Sequence, residues 1–316
     1  MQTRKLGYSD LNITNIGLGT WAIGGGGWKF AWGPQDDKES IAAIRKAIDI
    51  GINWIDTAAL YGLGHSEIVV GKAIKEMREK PIIATKCCRR WDEKRRIFNS
   101  LKKDSIRSEV EASLKRLRVD VIDLYQIHWP IPEKEIEEGW DTIATLIKEG
   151  KIRYGGVSNF SVEQLKRIQP IHPIASLQPP YSMLERGIED EMLDYCKKNN
   201  IGVIVYSPMQ RGLLAGKFSK ERVQNLPKDD HRRKNIQFQE PQLSANLELV
   251  ESLRPVAEKN NITLAQLALA WVLRRKEVTA AIVGARSQSQ IQETAAAGDV
   301  KLTENDIGVI EKLLNR

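Results

Sequence analysis

The sequence predicts an α/β fold of eight strand–helix units, and three observations predict it. Short apolar runs alternate with amphipathic stretches along the whole chain, turn residues separate them, and the units average about 37 residues. Parallel strands joined in this way require right-handed crossovers. A closed eight-stranded barrel and an open doubly wound sheet both satisfy the alternation, and the unit length suits the barrel.

The expected strands are residues 16–19, 54–57, 82–86, 122–128, 154–158, 176–178, 203–207 and 281–283. Between and after them the spacing predicts helices over 37–50, 66–77, 105–117, 136–149, 162–168, 188–199, 264–274, 287–297 and 304–314. Ile41, Ile44 and Ile48 recur at helical spacing and give the first helix one buried stripe. Gly51, Gly150 and Asn199-Asn200 stand where helices stop. The first residues depart from the alternation. Residues 3–6 and 11–14 flank the turn Gly7-Tyr8-Ser9-Asp10, a β-hairpin expected to cap the bottom of the barrel. Residues 211–243 read as a long, irregular polar loop, the kind that is functional or disordered.

The chain has 316 residues, enough by length alone for about two domains, but one α/β barrel accommodates that size. Nothing marks a boundary, so the expectation is a single domain, 1–316. Hydrophobic residues at 41% exclude disorder. The apolar runs, such as residues 201–206, fall far short of the roughly 20 residues of a membrane span. No apolar segment follows Met1-Gln2-Thr3-Arg4-Lys5, so no secretory signal is expected, and three cysteines fit a reducing cytoplasm. The net charge of +7 is mild and mixed with acids, unlike the basic stripe of a nucleic-acid reader. Of two basic clusters, residues 89–96 read as a solvated loop and residues 228–234 as a local anion site.

Chemistry in such folds sits beyond the carboxyl ends of the strands. Asp56 ends the second strand, with Tyr61 in the loop after it; Lys86 ends the third and His128 the fourth. Asp56 stands too far before the next helix to be its N-cap. Lys86 closes an apolar run that should be buried, where a lysine would ordinarily snorkel outward. A lone strand-end histidine is ordinarily structural. As a set, however, an acid, a phenol, an ammonium and an imidazole suit proton donation to a C=O group. The ammonium is expected to lower the phenol's pKa, the carboxylate to hold the ammonium, and the imidazole to orient the carbonyl. No side chain delivers hydride, so a nicotinamide or flavin is required. Gly24-Gly25-Gly26-Gly27 lacks the spacing of a Rossmann loop. Gly284-Ala285-Arg286-Ser287 precedes a helix whose N–H groups could receive phosphate, and Ser287 also suits a plain N-cap.

These residues resemble the aldo-keto reductases. The resemblance rests on Gly17-Leu18-Gly19-Thr20-Trp21, Asn53-Trp54-Ile55-Asp56-Thr57-Ala58-Ala59-Leu60-Tyr61-Gly62 and Ile83-Ala84-Thr85-Lys86. It continues through Leu124-Tyr125-Gln126-Ile127-His128-Trp129, Gly155-Gly156-Val157-Ser158-Asn159-Phe160 and Tyr206-Ser207-Pro208, and covers nearly the whole chain. The spacing is most similar to the bacterial branch near the general-stress, inositol-operon and channel β-subunit-like reductases. The resemblance implies a (β/α)8 TIM barrel binding NADP(H) at its C-terminal mouth. Tyr61 would be the general acid, Lys86 and Asp56 its tuning pair, and His128 the carbonyl's guide. Tyr206 would stack on the nicotinamide, with Ser158, Asn159 and Gln178 holding its carboxamide and Thr20 and Trp21 beside it. Ser207, Pro208, Met209, Gln210, Arg211, Gly212, Leu213 and Lys217 would follow the pyrophosphate. Gly284, Ala285, Arg286, Gln290 and Glu293 would surround the adenosine.

Gln290 stands where many members carry an arginine, so Arg286, with Arg232 or Arg233 from the long loop, is expected to meet the 2′-phosphate. Trp21, Trp28 and Trp129 would line an apolar substrate pocket, with Trp32 at the same mouth and Trp91 a packing anchor. Cys87 and Cys88 alternate faces, one toward the site and one toward the helices, as free thiols; no metal is expected. The partner is a small carbonyl compound, and oligomeric state stays open. The alternative function is an NADPH-binding, redox-sensing regulatory subunit, against which His128 speaks. A glycosidase would need a second strand-end acid.

Overall fold

The computed structural model describes residues 1–315. Strands β1 (Thr3–Lys5) and β2 (Asn12–Thr14) pair antiparallel as the expected hairpin. The closed barrel runs through β3 (Ile16–Gly19), β4 (Trp54–Asp56), β5 (Ile82–Cys87), β8 (Ile122–Ile127), β9 (Ile152–Ser158), β10 (Ser176–Gln178), β11 (Gly202–Val205) and β12 (Val278–Gly284), all parallel, with β12 returning to β3. The open-sheet alternative is thereby excluded. Between β5 and β8 an extra hairpin, β6 (Arg89–Trp91) with β7 (Ile97–Asn99), stands outside the barrel.

The helices are α1 (Asp37–Asp49), α2 (His65–Ile74), α3 (Lys103–Leu117), α4 (Ile136–Lys148), α5 (Val162–Ile168), α6 (Met192–Lys198), α7 (Lys220–Gln224), α8 (Gln242–Lys259), α9 (Leu264–Leu273), α10 (Gln288–Ala295) and α11 (Glu304–Leu314). Most agree with the sequence expectation within a few residues. The 18-residue α8 does not appear in it, and α6 starts later than expected. The stretch 211–243, read as a loop, is ordered into short 3₁₀ turns and α7, packed around Leu213, Val223, Leu226, Phe238 and Leu243.

Strand alternation divides the core in two. Outward residues such as Ile55, Ile83, Tyr125, Val157, Leu177 and Val203 pack under the helices. Inward residues Trp54, Ala84, Leu124, Ile204, Ala280 and Ile282 fill the barrel together with Leu6, Leu11 and Ile13 of the hairpin. The hairpin therefore plugs the bottom: Arg4 donates to Val278 O, and Trp54 Nε1 donates to Thr14 O. Gly17 makes room for this plug, since a Cβ there would lie 2.1 Å from the Trp54 ring. Two residues further along their strands, Asp56, Lys86 and Gln126 point the same way as Trp54, Ala84 and Leu124, and with Gln178 they form a buried polar layer above the apolar one.

Candidate active site

Polar atoms inside a barrel must find partners, and here they satisfy one another. Lys86 Nζ donates to Asp56 Oδ1 at 2.7 Å, to Asp56 Oδ2 at 2.8 Å and to Thr57 O at 2.8 Å. Both side chains are sealed from solvent, at 0% and 3% exposure. Gln178 Nε2 donates to Asp56 Oδ2 at 2.8 Å, so the residue expected at a carboxamide is already anchored to the carboxylate. Gln126, whose role the sequence did not suggest, is fully buried and donates more weakly to Asp56 Oδ2 at 3.5 Å.

The loop from β4 to α2 carries Tyr61 above this layer. Buried hydroxyls fix the loop: Thr20 Oγ1 donates to Asp56 O, while Ser66 Oγ lies within hydrogen-bond distance of Thr20 and Thr57. Asp56 caps no helix, because Gly64 precedes α2. Gly62, at φ +62°, and Gly24 meet backbone to backbone; a Cβ on Gly62 would lie 2.2 Å from Gly24 O. Tyr61 thus sits with its ring 5.3 Å above Lys86 Nζ and 5.9 Å from the His128 ring, edge to face. Trp21 stacks on its other side at 6.0 Å.

The electrostatics correct one expectation. The hydrogen bonds that Lys86 Nζ makes go to Asp56 and Thr57, and none of them goes to Tyr61. The pair is neutral as a unit. Burial, with the Asp56 and Tyr206 fields, holds the Tyr61 phenol well above its ordinary range, and only Arg89 pulls it down. Burial lowers the Lys86 ammonium against the opposing pull of Asp56. His128 is held well below the usual histidine range by burial and by the Lys86 and Arg89 charges, so its imidazole is neutral at neutral pH.

A cavity of about 650 Å³ opens over these groups, within the range of ligand sites. Asp56, Tyr61 and His128 line it with Trp21, Trp28 and Trp129. So do Ser158, Asn159, Gln178, Tyr206, Ser207, Pro208, Met209, Arg211, Gly212, Lys217, Arg232, Gly284, Arg286, Gln290 and Glu293. Thr20 borders it with its hydroxyl turned to Asp56 O and Ser66. Tyr206 OH donates to Asn159 Oδ1 at 2.8 Å, and Ser158 Oγ donates to Gln178 O.

Four predicted residues lie off the cavity: Lys86 is sealed beneath its floor, and three others are packed elsewhere. Leu213 and Ala285 are packed in the core, and Gln210 is buried at the turn following Ser207. Both cysteines face away too: Cys87 lies under the helices, and Cys88 Sγ meets Trp129 O and Ile131 O. All three cysteines are free thiols, and no metal-binding cluster occurs among the described residues. Trp91 stays outside the cavity, under Arg116.

The basic groups are more engaged than their sequence suggests. Arg232 pairs with the buried Asp230, and Arg233 donates to Gln224 O and Leu226 O and does not line the cavity. Arg286 donates to Gln35 Oε1, Trp32 O and Pro34 O, and Lys217 pairs with Glu293. Ser287 does cap α10, accepting from Gln290 N. The sequence also missed a roof over the cavity. His231 stacks on Trp21 at 4.6 Å and meets Trp32 at 4.9 Å, Arg232 lies 4.6 Å over Trp32, and Asp229 accepts from Gly27 N. Arg89 was read as solvated; it lines the cavity instead. Arg211 Nε and Trp32 Nε1, both donors, and His231 Nε2, an acceptor because Nδ1 donates to Ala31 O, are buried without a partner among the described residues, a set suited to an extended, charged, polar ligand.

A closed barrel with this mouth defines a carbonyl-directed oxidoreductase of the barrel type. The Aldo/keto reductase family model matches residues 15–315, and the chain belongs to that family. It is 39% identical over 317 residues to the aldo-keto reductase YhdN of Bacillus subtilis (99% of this chain, 94% of that protein). It is 35% identical over 327 residues to an NADH-specific methylglyoxal reductase of Escherichia coli (99% and 98%). Among solved structures it superposes on the glycerol dehydrogenase AKR11B4 from Gluconobacter oxydans with a TM-score of 0.89 at 39% identity, over 100% of this chain and 95% of the other. No helix among the described residues is long and apolar enough to cross a membrane.

Proposed function

We propose that the chain reduces aldehydes and ketones to alcohols with NADPH, and that Tyr61 protonates the carbonyl oxygen. The observation that carries this reading is the sealed Asp56–Lys86 pair beneath Tyr61, with His128 beside it on the cavity floor. A bound nicotinamide would supply the hydride. The protein's own part follows from the geometry. Tyr61 holds its proton firmly in the free site, so a donor is always present. Neutral His128 offers an N–H to the carbonyl oxygen and fixes its approach. As negative charge develops at oxygen and phenol, Arg89 is the cation whose field reaches Tyr61.

The residues fit the cofactor. Tyr206, Ser158, Asn159 and Gln178 would surround the nicotinamide, Arg211 the pyrophosphate, and Arg286, Gln290 and Glu293 the adenosine. NADPH over NADH is supported by Arg222, Lys234 and Arg286 along the cavity, which no carboxylate among the described residues pairs, whereas Lys217 is paired with Glu293 and Arg232 with Asp230. The E. coli relative, whose name specifies NADH, makes that comparison the informative one. The test is consumption of NADPH absorbance with 4-nitrobenzaldehyde. Tyr61→Phe should keep cofactor binding and lose most reduction; equal turnover would remove Tyr61 from the acid role. Fluorescence quenching without consumption by the wild type would favour the regulatory-subunit reading.

A further inference from the structure

The chain leaves β5 through Cys88, whose backbone is left-handed at φ +88°, and enters β6 at Arg89. Arg89 lines the same cavity as Tyr61 and His128. Its guanidinium lies 5.0 Å from the Phe30 ring centroid and 5.8 Å from that of Trp129. Aromatic faces orient a guanidinium and leave its N–H edge free. That edge is unused: Nε is buried without a partner, and no carboxylate faces Arg89 among the described residues. The titratable groups that do face it are Tyr61 and Cys88, both neutral at neutral pH. Lys86 is cancelled by Asp56, whereas Arg89, whose field reaches Tyr61, has no carboxylate partner among the described residues; Lys29, likewise without one, lies 5.5 Å from the Phe30 centroid.

A half-buried, unpaired cation in an aromatic pocket is unfavourable unless a ligand completes it. A guanidinium presents its donors as a fork that matches a carboxylate or phosphate in two parallel hydrogen bonds. We propose that Arg89 is a specificity-determining residue that selects carbonyl compounds bearing an anionic group, held between Phe30 and Trp129 while the C=O lies at Tyr61 and His128. This rests on the carbonyl-reductase reading and names the substrate class of that site. Arg89 touches the substrate's charged end and exchanges neither proton nor hydride itself; its influence on Tyr61 is through its field alone.

The test compares 4-carboxybenzaldehyde and 4-formylphenyl phosphate with the neutral methyl 4-formylbenzoate, in the wild type, Arg89→Met and Arg89→Lys. The wild type should favour an anionic aldehyde over the ester in kcat/KM by tenfold or more, mainly through KM. Arg89→Met should abolish that ratio, Arg89→Lys should keep part of it, and added salt should shrink it. The carboxylate and phosphate arms identify which anion fits. A ratio near one in the wild type, or one that survives in Arg89→Met, overturns the proposal. Because the ratio is taken within each variant, a general loss of activity does not disguise the result. Calorimetric titration with benzoate and benzamide separates this proposal from the reductase reading. Benzoate binding that Arg89→Met removes would support Arg89 even if no aldehyde were reduced, and equal binding of both probes would overturn it.

Discussion

Lys86 lies directly under Tyr61, yet gives none of its hydrogens to it. Its ammonium is 5.3 Å from the phenol ring centroid and is bonded to Asp56 and Thr57. The pair forms a rigid floor of no net charge beneath Tyr61, from which the Asp56 field adds to burial in holding the phenol's proton.

Removing one partner should show this. Lys86→Met leaves a buried carboxylate uncompensated and should destabilise the fold by about 3–5 kcal/mol. Adding Asp56→Asn should restore part of the loss. Urea unfolding of the two single variants and the double variant measures the coupling; additive losses would mean that the pair is not a unit.

Gly62→Ala should displace Tyr61, because the new Cβ meets Gly24 O at 2.2 Å and the residue sits at φ +62°. The expected outcome is a fall in kcat of tenfold or more with a stability loss of about 1–3 kcal/mol. Cofactor affinity, read by fluorescence, should change little. An unaltered kcat would show that the loop yields without moving the phenol.

The pH dependence of stability has a local source in Glu109. Burial pushes its carboxyl up to about 7, above its ordinary 4.5, despite the Ser105 hydrogen bond. Its folded pKa is the higher one, so between about pH 4.5 and 7 the folded state holds more protons and stability falls as pH rises. The full range corresponds to roughly 3 kcal/mol. Glu109→Gln should flatten that slope and stabilise the protein at pH 8 relative to wild type. Parallel wild-type and variant stability curves from pH 5 to 8 would disprove it.

Arg286 tests the cofactor preference. It bonds the 32–35 loop and lines the cavity. Arg286→Ala should raise the dissociation constant for NADPH about tenfold while moving that for NADH far less. An equal effect on both would reduce its role to anchoring the loop.

The barrel and the chemical floor were legible because they depend on local pattern. Asp56, Lys86 and His128 end strands whose inward face alternation fixes, so their convergence follows from spacing. Gln126 obeys the same alternation and could have been found by counting two residues on from Leu124. Helix α8 carried a usable signal in Leu243, Val250, Leu253 and Ala257, but Pro255 argues locally against a helix that packing nevertheless holds. What the sequence could not express was which charges cancel. Arg232, Arg286 and Lys86 look free as letters and are bound in space, whereas Arg89 looks solvated and is left unpaired in the pocket.

The three thiols lead to one more consequence. Cys87, Cys88 and Cys196 are enclosed, and burial lifts the latter two to about 12 and holds Cys87 well above the ordinary thiol range. Nucleophilic sulfur requires the thiolate, so none is poised to meet peroxide or an alkylating electrophile. An enzyme whose substrates include electrophilic aldehydes thus keeps its sulfur out of their reach and should survive exposure to iodoacetamide in the folded state without losing turnover.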